Sequence, residues 1–137
     1  MEKRNEIKKS GASAYRRTEV LTANRETILL MLYAGAIRSL KKALDFQASG
    51  KSFDRLQSVI KAQEIVSELR STLDFEHGGD IAVNLEKLYA YVTECLIKAN
   101  AQGDSDAIKQ ALSVLETLNA AWETAIASLK KSAGASK

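Results

Sequence analysis

His77 is the only imidazole in the chain, and Glu76 and Asp80 stand near enough in sequence to join it in holding a metal ion or relaying a proton. The same stretch, Asp74-Phe75-Glu76-His77-Gly78-Gly79-Asp80, reads more simply as a turn. Its glycine pair is free to take positive φ, and Asp80 is placed to cap the helix that follows. A di-metal bundle requires a Glu-x-x-His pair on each of two helices, which a single histidine does not supply. Cys95, the only cysteine, falls on an apolar helical stripe with no histidine to act as its base, so it reads as a buried inert thiol. One cysteine also excludes an intrachain disulfide and a thiolate cluster. Gly78-Gly79 lacks the Gly-Lys-Ser/Thr continuation that cradles phosphate. No catalytic constellation, metal site or cofactor site emerges. The chain reads as a binding protein and not an enzyme.

The elements that position these residues are helices. From Asn24, a plausible N-cap, a first helix is expected to Gln47, with its core stripe at Leu29, Tyr33, Ala36, Leu40, Ala43 and Leu44. Ala48-Ser49-Gly50-Lys51-Ser52 breaks it. A second helix, Phe53 to Leu73, carries Ala62, Ile65, Val66, Leu69 and Leu73 on its main stripe. The third, Ile81 to Gln102, has a heptad-like core of Ile81, Leu85, Leu88, Val92, Cys95 and Ala99, flanked by Tyr89 and Leu96. After Gln102-Gly103-Asp104-Ser105, a fourth from Asp106 to Lys130 reads Ile108, Ala111, Leu112, Leu115, Leu118, Trp122, Ala125, Ile126 and Leu129. Four long helices joined by short turns predict an all-α fold, an antiparallel up-and-down four-helix bundle with an N-terminal arm. The expected division is a flexible basic arm over 1–23, partly packed on the bundle, the bundle over 24–130, and a disordered tail over 131–137.

The net charge of +3 suggests a polyanion partner until it is divided along the chain. Residues 1–17 hold six cations against two carboxylates, Lys130, Lys131 and Lys137 lie at the other end, and the body from 18 to 129 has a net charge of −4. A nucleic-acid face needs cations clustered on an ordered surface, and none is expected. No window reaches the ~18 uncharged apolar residues needed to cross a bilayer, and residues 1–18 lack the apolar centre of a signal peptide. These features place the protein in the cytoplasm without membrane insertion.

Two helices carry more apolar surface than one core contact uses. Ile28, Met31, Ala34 and Gly35 lie opposite the stripe of the first helix, and Leu56, Ile60, Gln63 and Ser67 form another face on the second. Tyr89 and Leu96 add a flank on the third. Such facets face either a second bundle neighbour or a partner. Read as a partner track, they suit a segment that orders on binding, which gives up about 1–2 kcal/mol of backbone entropy per residue and needs many modest contacts. Gly35 and Ala34 would allow close approach of a client backbone, and Met31 would repack around varied side chains. Gln63 is either a solvent-edge residue or a donor to the client backbone. A homodimer using the same facet is the alternative.

Several blocks also resemble a known family: Tyr15, Val20 and Thr22-Ala23-Asn24, Leu30 to Ile37, Lys61 to Leu69, Leu73-Asp74, Gly78 to Leu85, Leu88-Tyr89, Leu96, Ala99-Asn100, and Leu118 to Trp122. In order and spacing they are similar to the flagellar secretion chaperones that hold flagellin, the FliS-like family, over about residues 14–126. The chain departs from that pattern at Asn24-Arg25, where the family commonly has Ser-Pro, at Ala34, where it has an acidic residue, and at Asn119, where it has arginine. The resemblance implies a cytosolic chaperone that captures the disordered C-terminal segment of flagellin, prevents its premature polymerisation and delivers it to the flagellar export apparatus. It implies that the client becomes helical and wraps around the bundle, and that the arm lies near the groove when the client is absent. Tyr15, Val20 and Leu21 are then a candidate gate, or a permanent stitch between arm and bundle. A weak homodimer is expected in the client-free state.

Overall fold

The structure is a computed structural model that describes residues 25–135. Four helices follow one another: α1 (Arg25–Ala48), α2 (Ser52–Ser71), α3 (Phe75–Gln102) and α4 (Ser105–Ala135). Each is long enough for a continuous apolar stripe, and the three links between them are built on specific local devices. At the end of α1, Gly50 has φ 71°, its N–H donates to Gln47 O at 3.1 Å, and Lys51 N donates to Phe46 O at 2.8 Å. This is a Schellman closure, which satisfies carbonyls the helix leaves open. Thr72 Oγ1 donates to Leu69 O at the end of α2. Between α3 and α4 the link is only Gly103-Asp104, and Asp104 Oδ1 accepts from Asp106 N at 3.0 Å and Ala107 N at 3.4 Å.

Turns this short force each helix to run back along the one before. Around the bundle, α1 packs between α2 and α4, and α3 packs between the same two. The architecture is the expected antiparallel four-helix bundle, with Tyr33, Leu40, Val59, Val66, Leu69, Val92, Leu96, Ile108 and Leu115 at its centre.

Two boundaries and one interior kink stand out against expectation. The cap of α3 is Asp74, whose Oδ1 accepts from Glu76 N and His77 N, each at 3.1 Å, so the helix begins at Phe75 instead of Ile81. The glycine pair makes a kink inside α3: Gly79 has φ 50° and ψ −126°, a conformation open only to a residue without Cβ. At the other terminus, α4 continues through Lys130, where a disordered tail was expected, to Ala135.

The core seam of α3 also differs. Ile81 and Leu88, expected inside, are 67% and 37% exposed, whereas Tyr89 and Leu96, expected as a flank facing either a second helix or a client, are 1% and 0% exposed. The buried seam is Ala82, Leu85, Tyr89, Val92, Cys95, Leu96 and Ala99. It shares Leu85, Val92, Cys95 and Ala99 with the expected stripe, so the two differ by a small rotation of one helix. Tyr89 decides the register, because its hydroxyl meets that of Tyr33 at the bundle centre. On α4, Ala125 and Leu129 are exposed although the stripe reaches them. By antiparallel spacing from the Trp122–Tyr33 bond, Leu129 stands level with the first residues of α1.

Candidate functional site

Where the starts of α1 and α3 meet the end of α2, the helices leave a cleft of about 690 Å³. Ile28, Leu29 and Leu32 form one wall, Leu73, Ile81, Ala82 and Leu85 the other, and Tyr89 and Trp122 the floor. Arg25, Glu26, Asp74 and His77 stand at its rim. The charged groups are confined to the mouth, so the interior accepts apolar side chains.

The floor is held by one polar network. The hydroxyls of Tyr33 and Tyr89 lie 2.5 Å apart, and Trp122 Nε1 donates to Tyr33 Oη at 3.3 Å. The tyrosine rings are tilted at 47° with centroids 6.4 Å apart. Burial pushes the Tyr33 hydroxyl above the usual tyrosine range, against the opposing pull of its bonds to Tyr89 and Trp122. Burial, reinforced by the bond to Tyr33, pushes Tyr89 well above it. Both hydroxyls therefore stay neutral, and the network ties α1 to α3 across the bundle with α4 as the third support.

At the rim, Asp74 Oδ2 lies 2.7 Å from His77 Nδ1. The hydrogen bond from the His77 backbone N–H, followed by that from the His77 side chain, lowers the Asp74 carboxyl below the usual range. Helix capping thus accounts for both residues. Among the described residues no group of three His, Cys, Asp or Glu side chains is placed to hold a metal ion. Cys95 is buried, with Sγ 3.9 Å from Gln110 Oε1, in keeping with an inert thiol. No described helix is long and apolar enough to cross a membrane.

The candidate track residues fall in different places. Ile28 is half-buried in the cleft. Met31 is 62% exposed, and Ala34 points to solvent. Gly35 instead serves the bundle, since a Cβ built there would lie 3.3 Å from Ile65 Cδ1 of α2. Its small size permits close packing of α1 on α2, in place of the expected client approach. Leu56, Ile60 and Gln63 are half-buried on α2, with Ile60 facing a groove against α1. Tyr89 and Leu96 belong to the core, and only Tyr89 reaches the cleft, as part of its floor. Tyr15, Val20 and Leu21 lie outside the described residues.

Further apolar surface lies on α3. Ile81, Val83, Leu88 and Ile97 are 67%, 43%, 37% and 56% exposed. At 100° per residue, Val83 and Ile97 point toward the α2 side and Ile81 and Leu88 toward the α4 side. The α2 side is bridged by the guanidinium of Arg70, which contacts Glu86 through both carboxylate oxygens. Leu29, Leu73, Leu85 and Trp122 stood on the expected core stripes, but the cleft they share with Leu32 depends on how four helix segments converge.

The family described as Flagellar protein FliS matches residues 8–129. The flagellar secretion chaperone FliS of Salmonella typhimurium is 33% identical over 119 residues, covering 83% of this chain and 88% of that protein. The flagellar secretion chaperone FliS of Vibrio cholerae is 30% identical over 106 residues, covering 77% and 78%. A crystal structure of a bacterial flagellar chaperone superposes with a TM-score of 0.72 at 19% identity, covering 86% of this chain and 98% of that one, and so shares the fold.

Proposed function

We propose that this chain, which belongs to the FliS family of flagellar proteins, is a cytoplasmic export chaperone for the disordered C-terminal segment of flagellin. Binding keeps the segment from polymerising early, and the complex is handed to the flagellar export apparatus. The observation that carries the reading is the apolar surface left over after the bundle has formed: a cleft of about 690 Å³ together with exposed Met31, Ile81 and Ile97. A monomer gains nothing from leaving such side chains in water, whereas a client gains roughly 25 cal/mol per Å² that it covers.

The surfaces lie at the α1–α3 end and around the outer sides of α2 and α3. They suit an extended client that winds around the body and orders as it binds. A compact ligand would fill the cleft alone. The arm before Arg25 is the gate in this reading, its Tyr15, Val20 and Leu21 covering apolar surface until a client displaces them.

Calorimetry with a peptide of the C-terminal segment of flagellin from the same organism, followed by circular dichroism, tests this. Binding with a gain of helix is expected. Absence of heat and of helix gain would remove the flagellin reading. Met31, at 62% exposure, would equally serve a homodimer. Sedimentation over a range of concentrations separates the two, because an obligate dimer persists on dilution whereas a client-free chaperone associates only weakly.

A further inference from the structure

We propose that the groove between the second half of α1 and the first half of α2 reads acidic residues of the client polypeptide, a specificity element that rests on the chaperone function proposed above. The groove has a volume of about 450 Å³, and its walls include Arg38, Lys42 and Phe46 from α1 and Ile60, Lys61 and Glu64 from α2. Three cations thus face one carboxylate on a body whose residues 18–129 sum to −4. All three cations are exposed, and none takes part in an ion pair among the described residues.

Spacing and chemistry together define the occupant. Arg38 and Lys42 are one helical turn apart, roughly 6 Å along α1, and Lys61 stands on the opposite wall. Half-buried Phe46 and Ile60 lie with them. The complement is a helical segment that sets an apolar side chain on Phe46 and Ile60 and carries carboxylates about one turn apart to meet the cations. The chain's own arm is a poor occupant, because residues 1–17 hold six cations against two carboxylates and would be repelled. A client is the better one, since exposed Met31 lies on α1 closer to the cleft. Exposed ion pairs add little raw affinity, but they fix register and speed encounter. The groove therefore selects which turn of the client sits there.

The test uses two peptides of the C-terminal flagellin segment, one native and one with every Asp and Glu replaced by Asn and Gln. Each is titrated into the wild-type chain and into the Arg38→Glu, Lys42→Glu double variant. Native peptide should bind the variant about tenfold more weakly than wild type, with a flatter salt dependence, and the amide peptide should bind both proteins alike. Should the double variant fail to melt cooperatively, Arg38→Gln, Lys42→Gln replaces it, with a smaller loss expected. Equal binding of native peptide to wild type and variant would overturn the acidic-reader role and leave the chaperone reading intact. No binding of either peptide to wild type would overturn both. A variant that loses only a concentration-dependent self-association would identify a second copy as the occupant, and the proposal would fall.

Discussion

The hydroxyls of Tyr33 and Tyr89 meet 2.5 Å apart although the two residues sit on α1 and α3, which face each other across the bundle instead of packing side by side. Because Trp122 Nε1 also donates to Tyr33 Oη, the two tyrosines are not equivalent. Tyr33→Phe strands both the Tyr89 hydroxyl and the indole N–H, whereas Tyr89→Phe leaves Tyr33 bonded to Trp122. Urea denaturation should show a loss of about 1–3 kcal/mol for Tyr33→Phe and about 0.5–1.5 kcal/mol for Tyr89→Phe. The reverse order would mean that the network does not converge on Tyr33.

Gly35 is weighed between two opposing effects. A glycine inside a helix costs up to about 1 kcal/mol relative to alanine, while an added Cβ would lie 3.3 Å from Ile65 Cδ1. That atom is the end of a half-buried side chain that gives way by a few tenths of an ångström. Propensity should win, so Gly35→Ala is expected to raise stability by up to about 0.5 kcal/mol. A fall in melting temperature would show that the α1–α2 contact is too tight to yield.

The bundle was legible because each helix carried a stripe of period 3.6 and each break held a glycine or a capping aspartate. The register of α3 was not. Ile81-Leu88 and Ala82-Tyr89-Leu96 are neighbouring stripes of comparable apolarity, with Cys95 buried alongside the second, and the bond from Tyr89 to Tyr33 on a distant helix selects it. Stripe reading likewise placed Leu129 inside, because a one-dimensional pattern holds no record of where a neighbouring helix begins. Met31 and Ile60 stood out as surplus on helices that already had a core face. The cleft escaped detection since Leu29, Leu73, Leu85 and Trp122 come from four separate segments, and each alone looks like ordinary core.

Met31 supplies the cleanest separation of binding from folding. At 62% exposure its replacement by glutamate should change stability by no more than about 0.5 kcal/mol. Charge placed on an apolar track should nevertheless weaken client binding about tenfold, for a cost of about 1.4 kcal/mol. Calorimetry and a thermal melt on the same preparation decide the matter. Loss of cooperative melting would make Met31 a folding residue.

Asp74 links the rim of the cleft to pH. Its folded carboxyl is held below the ordinary value of about 3.9, first by the His77 backbone N–H and then by the His77 side chain. A depressed carboxylate contributes stability that is complete above the unfolded value and is lost as pH falls through the folded one. Chemical denaturation between pH 6 and pH 2.5, a range of about 3.5 units around that value, should therefore show a steeper acid loss for wild type than for Asp74→Asn. Parallel curves would indicate that the cap does not titrate with folding.

Gating by the arm makes a kinetic prediction. Arg25, the first described residue, lines the cleft, and the gating reading has the arm cover the apolar surface a client would need. If the arm covers that surface, only the uncovered fraction of molecules is competent, and the apparent affinity is reduced by that fraction. Deleting residues 1–21 should then speed client association severalfold while leaving dissociation nearly unchanged. Trp122, the single tryptophan of the chain, reports directly because its ring lines the same cleft, and its emission should shift to longer wavelength once the cover is removed. Stopped-flow traces with unchanged on-rates, together with an unaltered emission maximum, would reject gating and leave the arm as an appendage with some other task.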